Sequence, residues 1–369
     1  MAQFKIPQFQ PYLDEKEYEG IKSCFEMNWI TEGPKSQEFV DKLLKMMDVK
    51  YGVLAPNGTL SLYMALRALG IGKGDEVIVP NFTFIASANA IEMVGAKPVF
   101  CDVQDSDLHI DIKKAEKLVT RKTKAIMPVH IYGMACNMYD VTSFAKKHNL
   151  KIVEDAAQAV GVKWDGKQAG TFGEVGSFSF FADKTLTTGE GGLVVTNDEE
   201  IYKKLLFIRN QGRINRGSFI HPEIGYNFRM TDIQTAVGLV QLQKFPEIVK
   251  KKAKILETYK KFLNPEIKII EPLAHSTHIP FRVCITVPGG SEKLMEHLKE
   301  NGVEPRTFFY PLHMQPCYED KSFFKFLKKK NDLSVSERLY KEGVCLPSWV
   351  GISTKDIKFI CDKINNFLK

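Results

Sequence analysis

The chain has 369 residues, 44% of them hydrophobic, with 51 Lys and Arg against 44 Asp and Glu for a formal net charge of +7. That length supports a large core and two domains, and the moderate charge, carried largely by runs such as "KKKAKILETYKK" and "FLKKK", reads as solvated helix faces rather than a nucleic-acid stripe. Seven scattered cysteines, with no CxxC and no Cys/His cluster, argue against a disulfide framework or a metal site and predict reduced thiols in the cytoplasm.

No apolar run approaches the ~20 residues a membrane span needs. The opening "MAQFKIPQFQPYLDEKEYEG" carries charges where a signal peptide needs an apolar core. From residue 50 to about 195, short apolar runs alternate with helical patterns. "YGVLA" predicts a strand and "TLSLYMALRALG" a helix ending at Gly70; "DEVIVP" predicts a strand, "TFIASANAIEMVG" a helix and "KPVFCDV" a strand. "KAIMPVHIYG", "KIVEDA", "SFSFF" and "GGLVVTND" predict further buried strands, with the helix "YDVTSFAKKHN" between the first two. Continuous apolar strands alternating with helices imply an α/β fold built on a mostly parallel sheet covered on both faces. Near residue 245 the pattern changes to the long amphipathic "FPEIVKKKAKILETYKKFL". Then come "HIPFRVCITV", "SEKLMEHLKENGV" and "TKDIKFICDKINNFL", which predict a smaller α+β domain. The expected division is a large domain over 1–245 and a small C-terminal domain over 246–369.

Ligands in open sheets of this kind bind at the carboxyl ends of the strands, so the residues just past each run carry the chemical interest. After "YGVLAP" comes Asn57-Gly58-Thr59: glycine admits close approach of an anion and a helix N-terminus offers free N–H groups, although an ordinary turn with a Thr cap reads equally well. Asp155 closes "KIVED" and is either the N-cap of a helix over "AAQAV", with Gln158 completing a capping box, or a carboxylate aimed with Gln158 into a cleft. Phe84 follows "DEVIVP" as a core residue or as an aromatic face for a flat ring. Lys184, in "SFFADKTLTTGEGG", is a solvated charge or an amine whose pKa burial lowers until it becomes a nucleophile, with the Ser179 hydroxyl close by in sequence. Taken together, an amine, an acid, a Gly/Thr/Ser cup and an aromatic face are what a pyridoxal phosphate site requires.

"VEDAAQAVG", "FSFFADKTLTTGEGG" and "GYNFRMTDIQTAVG" resemble the signature segments of the DegT/DnrJ/EryC1/StrS aminotransferases, with support from "NWITEGPKSQEFV" through to "FFYPLHMQPCY". The resemblance implies the fold-type I architecture of PLP-dependent transferases: a large domain with a mostly parallel mixed sheet, a small C-terminal domain and a cytoplasmic homodimer. It implies pyridoxal 5′-phosphate as cofactor, with pyridoxamine phosphate as its amino-carrying form. It places Lys184 as the amine that carries the cofactor and Asp155 at its ring nitrogen. Gln158 is expected at the ring hydroxyl and Phe84 over the ring, while Gly58, Thr59 and Ser179 hold the phosphate. Asn227 is expected to reach the phosphate bound by the neighbouring subunit; its other reading is a loop side chain satisfying local backbone.

His130, Arg229, Arg306, Tyr310 and His313 are candidate substrate contacts near the cleft. The two arginines suit a carboxylate or phosphate, and each of the five is equally a structural residue. Within the family, "NWI", "IASANAI", "KAIMPVH" and "HPEIGYNFRMT" look most like the perosamine synthase branch, whose members aminate C4 of GDP-4-keto-6-deoxymannose. The expected reaction moves an amino group from an amino acid, L-glutamate, to a GDP- or UDP-linked 4-keto sugar for surface glycans; a smaller keto phosphate is the alternative acceptor. Sugar dehydratases on this scaffold replace the lysine with histidine, and Lys184 argues against that reading. A regulatory member needs an additional DNA-binding domain, and the two expected domains use the whole chain.

Overall fold

The computed structural model describes residues 4–213, 217, 219–319 and 331–368. The lysine run "FLKKK" falls outside them. The chain opens with two helices, α1 (Glu15–Glu26) and α2 (Pro34–Met47). An alternating series follows: β1 (Tyr51–Ala55), α3 (Gly58–Ala68), β2 (Glu76–Pro80), α4 (Ala86–Met93), β3 (Lys97–Cys101), α5 (Ile112–Ala115), β4 (Thr123–Ile126), α6 (Met138–His148) and β5 (Lys151–Asp155). A small hairpin, β6 (Lys163–Trp164) and β7 (Lys167–Gln168), precedes β8 (Val175–Ser179), β9 (Gly192–Thr196), α7 (Glu199–Arg209) and α8 (Asp232–Phe262).

Seven strands form the central sheet in the order β1-β9-β8-β5-β4-β2-β3. The pairs from β8 to β3 are parallel, and β9 runs antiparallel between β1 and β8. Side chains alternate across the sheet as the period of two demands. Val77 and Val79 of β2 pack with Leu62 and Ile91 on one face, while Ile78 packs with Phe144 and Phe178 on the other. All three are fully buried, each contributing about 1.5–3 kcal/mol. The expected strand over "KAIMPVHIYG" stops at Ile126: Pro128 has no N–H for the ladder, and Ile131–Gly133 forms a 3-10 turn.

The larger departure is α8. Its expected start lies near residue 245, yet the helix begins at Asp232 and runs 31 residues through Pro246. Thr231 and Gln234 close a reciprocal capping box at its start. Leu239 and Phe245 pack into the core beside the large sheet, whereas Ile255, Leu256 and Tyr259 belong to a second core. The division expected at 245/246 therefore falls inside one continuous helix. The second core underlies an antiparallel sheet, β10 (Lys268–Ile269), β11 (Val283–Thr286), β12 (Arg306–Thr307) and β13 (Gly343–Leu346), in the order β10-β11-β13-β12. Helices Glu292–Glu300 and Thr354–Phe367 cover it, and Ile6 reaches back from the N-terminal segment to pair with Val303. Among the described residues, no helix is long and apolar enough to cross a membrane.

Candidate active site

The carboxyl ends of β1, β2, β5 and β8 open onto one cleft of about 480 Å³, whose far wall comes from the small sheet through Phe281, Arg282, Arg306, Phe309 and Cys345. Gly58, Thr59, Phe84, Asp155, Gln158, Ser179 and Lys184 all line it. Gly58 opens α3, and the cap is Asn57, whose Oδ1 accepts from the Leu60 N–H at 3.0 Å, so Thr59 is not the cap. The N–H groups of Gly58 and Thr59 have no partner within the helix and are free to meet an anion. A Cβ at position 58 would sit 2.9 Å from the Cβ of Ser179, so only glycine lets the two strand ends approach this closely.

Lys184 sits in the loop that returns β8 into β9, closed by Phe180 N–H to Gly191 O at 2.8 Å and Thr188 N–H to Phe180 O at 2.9 Å. Its Nζ lies 4.5 Å from the centre of the Phe281 ring and 3.9 Å from Asp183 Oδ1. Burial pushes its ammonium below the ordinary lysine range; Asp183 and Asp155 oppose that shift and Arg282 adds to it.

Asp155 ends β5 fully inside the protein and is followed by turns, with no helix over "AAQAV". Its Oδ2 accepts from Ser87 Oγ at 2.6 Å and its Oδ1 from the Ala157 N–H at 3.1 Å. Burial pushes its carboxyl above the usual range, against the two hydrogen bonds and the charge of Lys184. Gln158 forms no capping box; its Oε1 accepts from the Tyr132 N–H at 2.7 Å, which leaves its NH2 as the donor it offers the cleft. Phe84 is 58% exposed on the rim, beside Phe309, rather than part of the core.

The remaining candidates divide. Arg306 lines the cleft. His130 does not: it is fully buried, its Nδ1 accepts from the Cys136 N–H and its Nε2 donates to Glu154 at 2.9 Å. Glu154 in turn accepts from the backbone N–H groups of Gly170, Phe172 and Gly173, so His130 belongs to a structural clamp under the sheet. His313 is buried between Asn81 and Glu337, and Tyr310 packs edge-on against Tyr340; neither lines the cleft. Asn227 and Arg229 are exposed and hydrogen-bonded to each other, Arg229 Nε donating to Asn227 Oδ1 at 2.8 Å, away from this chain's own cleft.

Sequence reasoning overlooked a buried charge relay behind the lysine. Arg282 Nη2 donates to Asp183 Oδ2 at 2.6 Å, tying the lysine loop to the first residues of β11. Lys252 of α8 donates to the carbonyls of Ser348 at 2.6 Å and Phe281 at 3.3 Å. Burial and the Arg282 charge push Lys252 down to about 7, with Asp183 opposing. The arginine in "HIPFRVCITV", a charge set inside an apolar run, was the available signal. Asp232 was also overlooked: fully buried, it accepts from the N–H groups of Gly33 and Ser36 and caps α2 from another element.

The chain matches the DegT/DnrJ/EryC1/StrS aminotransferase family over residues 11–365. It belongs to that family. It is 40% identical to the GDP-perosamine synthase of Escherichia coli O157:H7, with 98% of each chain covered. Among solved structures, the aminotransferase TlmJ from Streptoalloteichus hindustanus superposes with a TM-score of 0.92 at 28% identity, covering 98% of both chains. The putative sugar aminotransferase Spr1654 from Streptococcus pneumoniae, in its PMP-form, gives 0.92 at 27% identity over 98% of this chain and 97% of the other. The chain is thus a PLP-dependent sugar aminotransferase with an α/β fold of type I. The cleft fits the cofactor of this DegT/DnrJ/EryC1/StrS member: a buried amine, a buried acid and an anion cup that a single Cβ at position 58 would crowd.

Proposed function

We propose that this chain transfers the amino group of L-glutamate to the keto carbon of a nucleotide-linked 4-keto-6-deoxyhexose, with GDP as the carrier nucleotide, in surface-glycan synthesis. The observation that carries the reading is the cleft itself, where Lys184, Asp155, Ser179 and the N-terminus of α3 meet. The identity to a GDP-perosamine synthase over nearly the whole chain supports the choice of sugar and nucleotide.

Bound there, pyridoxal phosphate supplies an electron sink and a carrier for the amino group. Lys184 would hold it through Nζ, and the N–H groups of Gly58 and Thr59 with the Ser179 hydroxyl would hold its phosphate. Asp155 would pair with the ring nitrogen, and Ser87 and the Ala157 N–H fix its carboxyl group in place. Gln158 would donate to the ring hydroxyl and Phe84 would cover the ring. With the cofactor bound, Lys184 Nζ would take the proton from the substrate carbon and return it, a role suited by the burial that pushes its ammonium below the ordinary lysine range. Arg306 receives an anionic group of the substrate. The enzyme works as a cytoplasmic homodimer in which Asn227, turned from its own cleft, reaches the phosphate bound by a second copy.

The test incubates purified protein with pyridoxal phosphate, L-glutamate and GDP-4-keto-6-deoxymannose. The expected products are 2-oxoglutarate and a GDP-linked 4-amino sugar, and Lys184→Ala abolishes repeated turnover. An absorption band that glutamate bleaches, with no amino sugar formed from the GDP-linked ketone, sinks the acceptor assignment while leaving the aminotransferase intact. Undiminished turnover in Lys184→Ala overturns the role of the lysine.

A further inference from the structure

The small-sheet wall of the cleft carries a chemistry that transamination does not use. Cys284 lies in β11 and Cys345 in β13, and the antiparallel register sets them directly opposite one another. Their sulfurs are 3.8 Å apart. Both side chains are buried, yet Cys345 lines the cleft and Cys284 stands behind it. Residues opposed in this way have Cα atoms roughly 4.5–5.5 Å apart, within the roughly 4.4–6.8 Å that a disulfide accepts. The strand spacing at this pair therefore falls within the range a disulfide accepts.

The two thiols are also unequal. Cys345 stands in register with Arg306 on its other side, and Arg282 immediately precedes β11, so two guanidinium-bearing residues flank it. Burial alone would push the Cys345 thiol up. Hydrogen bonds with Cys284 and Tyr132 and the charges of Arg282 and Arg306 outweigh it and hold the thiol below its ordinary value. Burial pushes Cys284 well up instead.

We propose that Cys345 and Cys284 are an oxidisable dithiol built into the wall of the active-site cleft, with hydrogen peroxide or a comparably small peroxide as oxidant. Cys345 Sγ attacks a peroxide oxygen; an S–O bond forms, the O–O bond breaks, and the departing hydroxide takes the thiol proton as water. Cys284 Sγ then attacks the oxidised sulfur; the S–S bond forms, the S–O bond breaks, and a second water carries away the Cys284 proton. Two thiols lose two electrons in all, and the peroxide is reduced to two waters. This inference does not depend on which sugar the enzyme aminates.

The test exposes the folded, cofactor-loaded protein to a small molar excess of hydrogen peroxide, alkylates the remaining thiols in denaturant and maps peptides without reduction. The expected result is a Cys284–Cys345 linked pair as the main oxidised species, two hydrogens lighter than the dithiol and restored by dithiothreitol. In Cys284→Ser, dimedone traps oxidised Cys345; in Cys345→Ser, Cys284 stays alkylatable. Phenylarsine oxide, which bridges close thiol pairs, should remove two titratable thiols from the wild type and none from either variant, with melting temperatures confirming that both fold. Oxidation confined to the exposed Cys317, with both sulfurs still alkylatable and no arsenical bridge, overturns the proposal. So does oxidation of Cys284 at the wild-type rate in Cys345→Ser.

Discussion

Ser87→Ala is the sharpest perturbation of the proposed cofactor site, because it removes one hydroxyl that donates a short hydrogen bond to Asp155. The Ser87 hydroxyl donates to Asp155 Oδ2 at 2.6 Å from the first turn of α4, inside the protein. A hydrogen bond to a charged group contributes about 1.5–3 kcal/mol net, and at about 1.4 kcal/mol per decade that is roughly a 10- to 150-fold loss of affinity for pyridoxal phosphate. The sign follows from the carboxylate. Burial holds the Asp155 pKa up and the Ser87 hydrogen bond holds it down, so removing the hydroxyl raises it further. The ionised form, which keeps a proton on the ring nitrogen, then requires a higher pH, and the acid limb of cofactor binding moves upward. Absorbance or fluorescence titration of the cofactor across pH, with melting temperature alongside, reads both effects. A variant with wild-type affinity and an unmoved acid limb refutes the reasoning, whereas a lowered melting temperature alone shows Ser87 to be structural.

Gly58→Ala brings a methyl to 2.9 Å from the Ser179 Cβ and is expected to cost about 1–3 kcal/mol in cofactor affinity by displacing the phosphate cup, measured by titration against an otherwise wild-type melting curve. His130→Ala leaves Glu154 short of a donor inside the protein and should lower stability by about 1–3 kcal/mol while KM for both substrates stays put; a raised KM on an undamaged fold would return His130 to the substrate. Lys252, depressed from 10.5 to about 7, is neutral in the folded chain and charged in the unfolded one between those values. Its contribution to stability is therefore present at high pH and lost as pH falls towards about 7, with a slope of up to ~1.4 kcal/mol per pH unit. Chemical denaturation at about pH 7 and about pH 9 should show that rise in the wild type and a smaller one in Lys252→Met.

How much of this was legible in the sequence depended on how locally each feature is encoded. Runs such as "YGVLA" and "KIVEDA" are largely buried and bounded by turn residues, so β1 emerges at its observed limits and β5 one residue too long. Gly58, Asp155, Ser179 and Lys184 lie at or just past such runs, which is why the sequence points to them as residues of one cleft. The start of α8 was also written locally, as T-x-x-Q at Thr231 and Gln234, but the lysine-rich stretch after Pro246 carries the stronger amphipathic pattern and drew the boundary there. His130 and His313 sit near strand ends in sequence and still point away from the cleft. Their partners, Glu154 and Cys136 for one and Asn81 and Glu337 for the other, come largely from other elements, and no local pattern announces them. The Asp183–Arg282 pair joins residues 99 apart and belongs to the same class.

The placement of β9 also has a consequence for how the protein is made. Among the described residues β1 pairs with β9 and with no other strand, so the apolar segment Val53–Ala55 waits for about 140 further residues before its ladder exists. At roughly 5–20 residues per second of synthesis, that is a delay of about 7–28 s. During that time a strand whose native side chains are buried on both faces can pair with any exposed edge it meets. The lysine loop, by contrast, is closed across the twelve residues from Phe180 to Gly191. The lysine loop is thus closed by contacts within its own few residues, while the first strand of the sheet is held open until a segment far along the chain arrives.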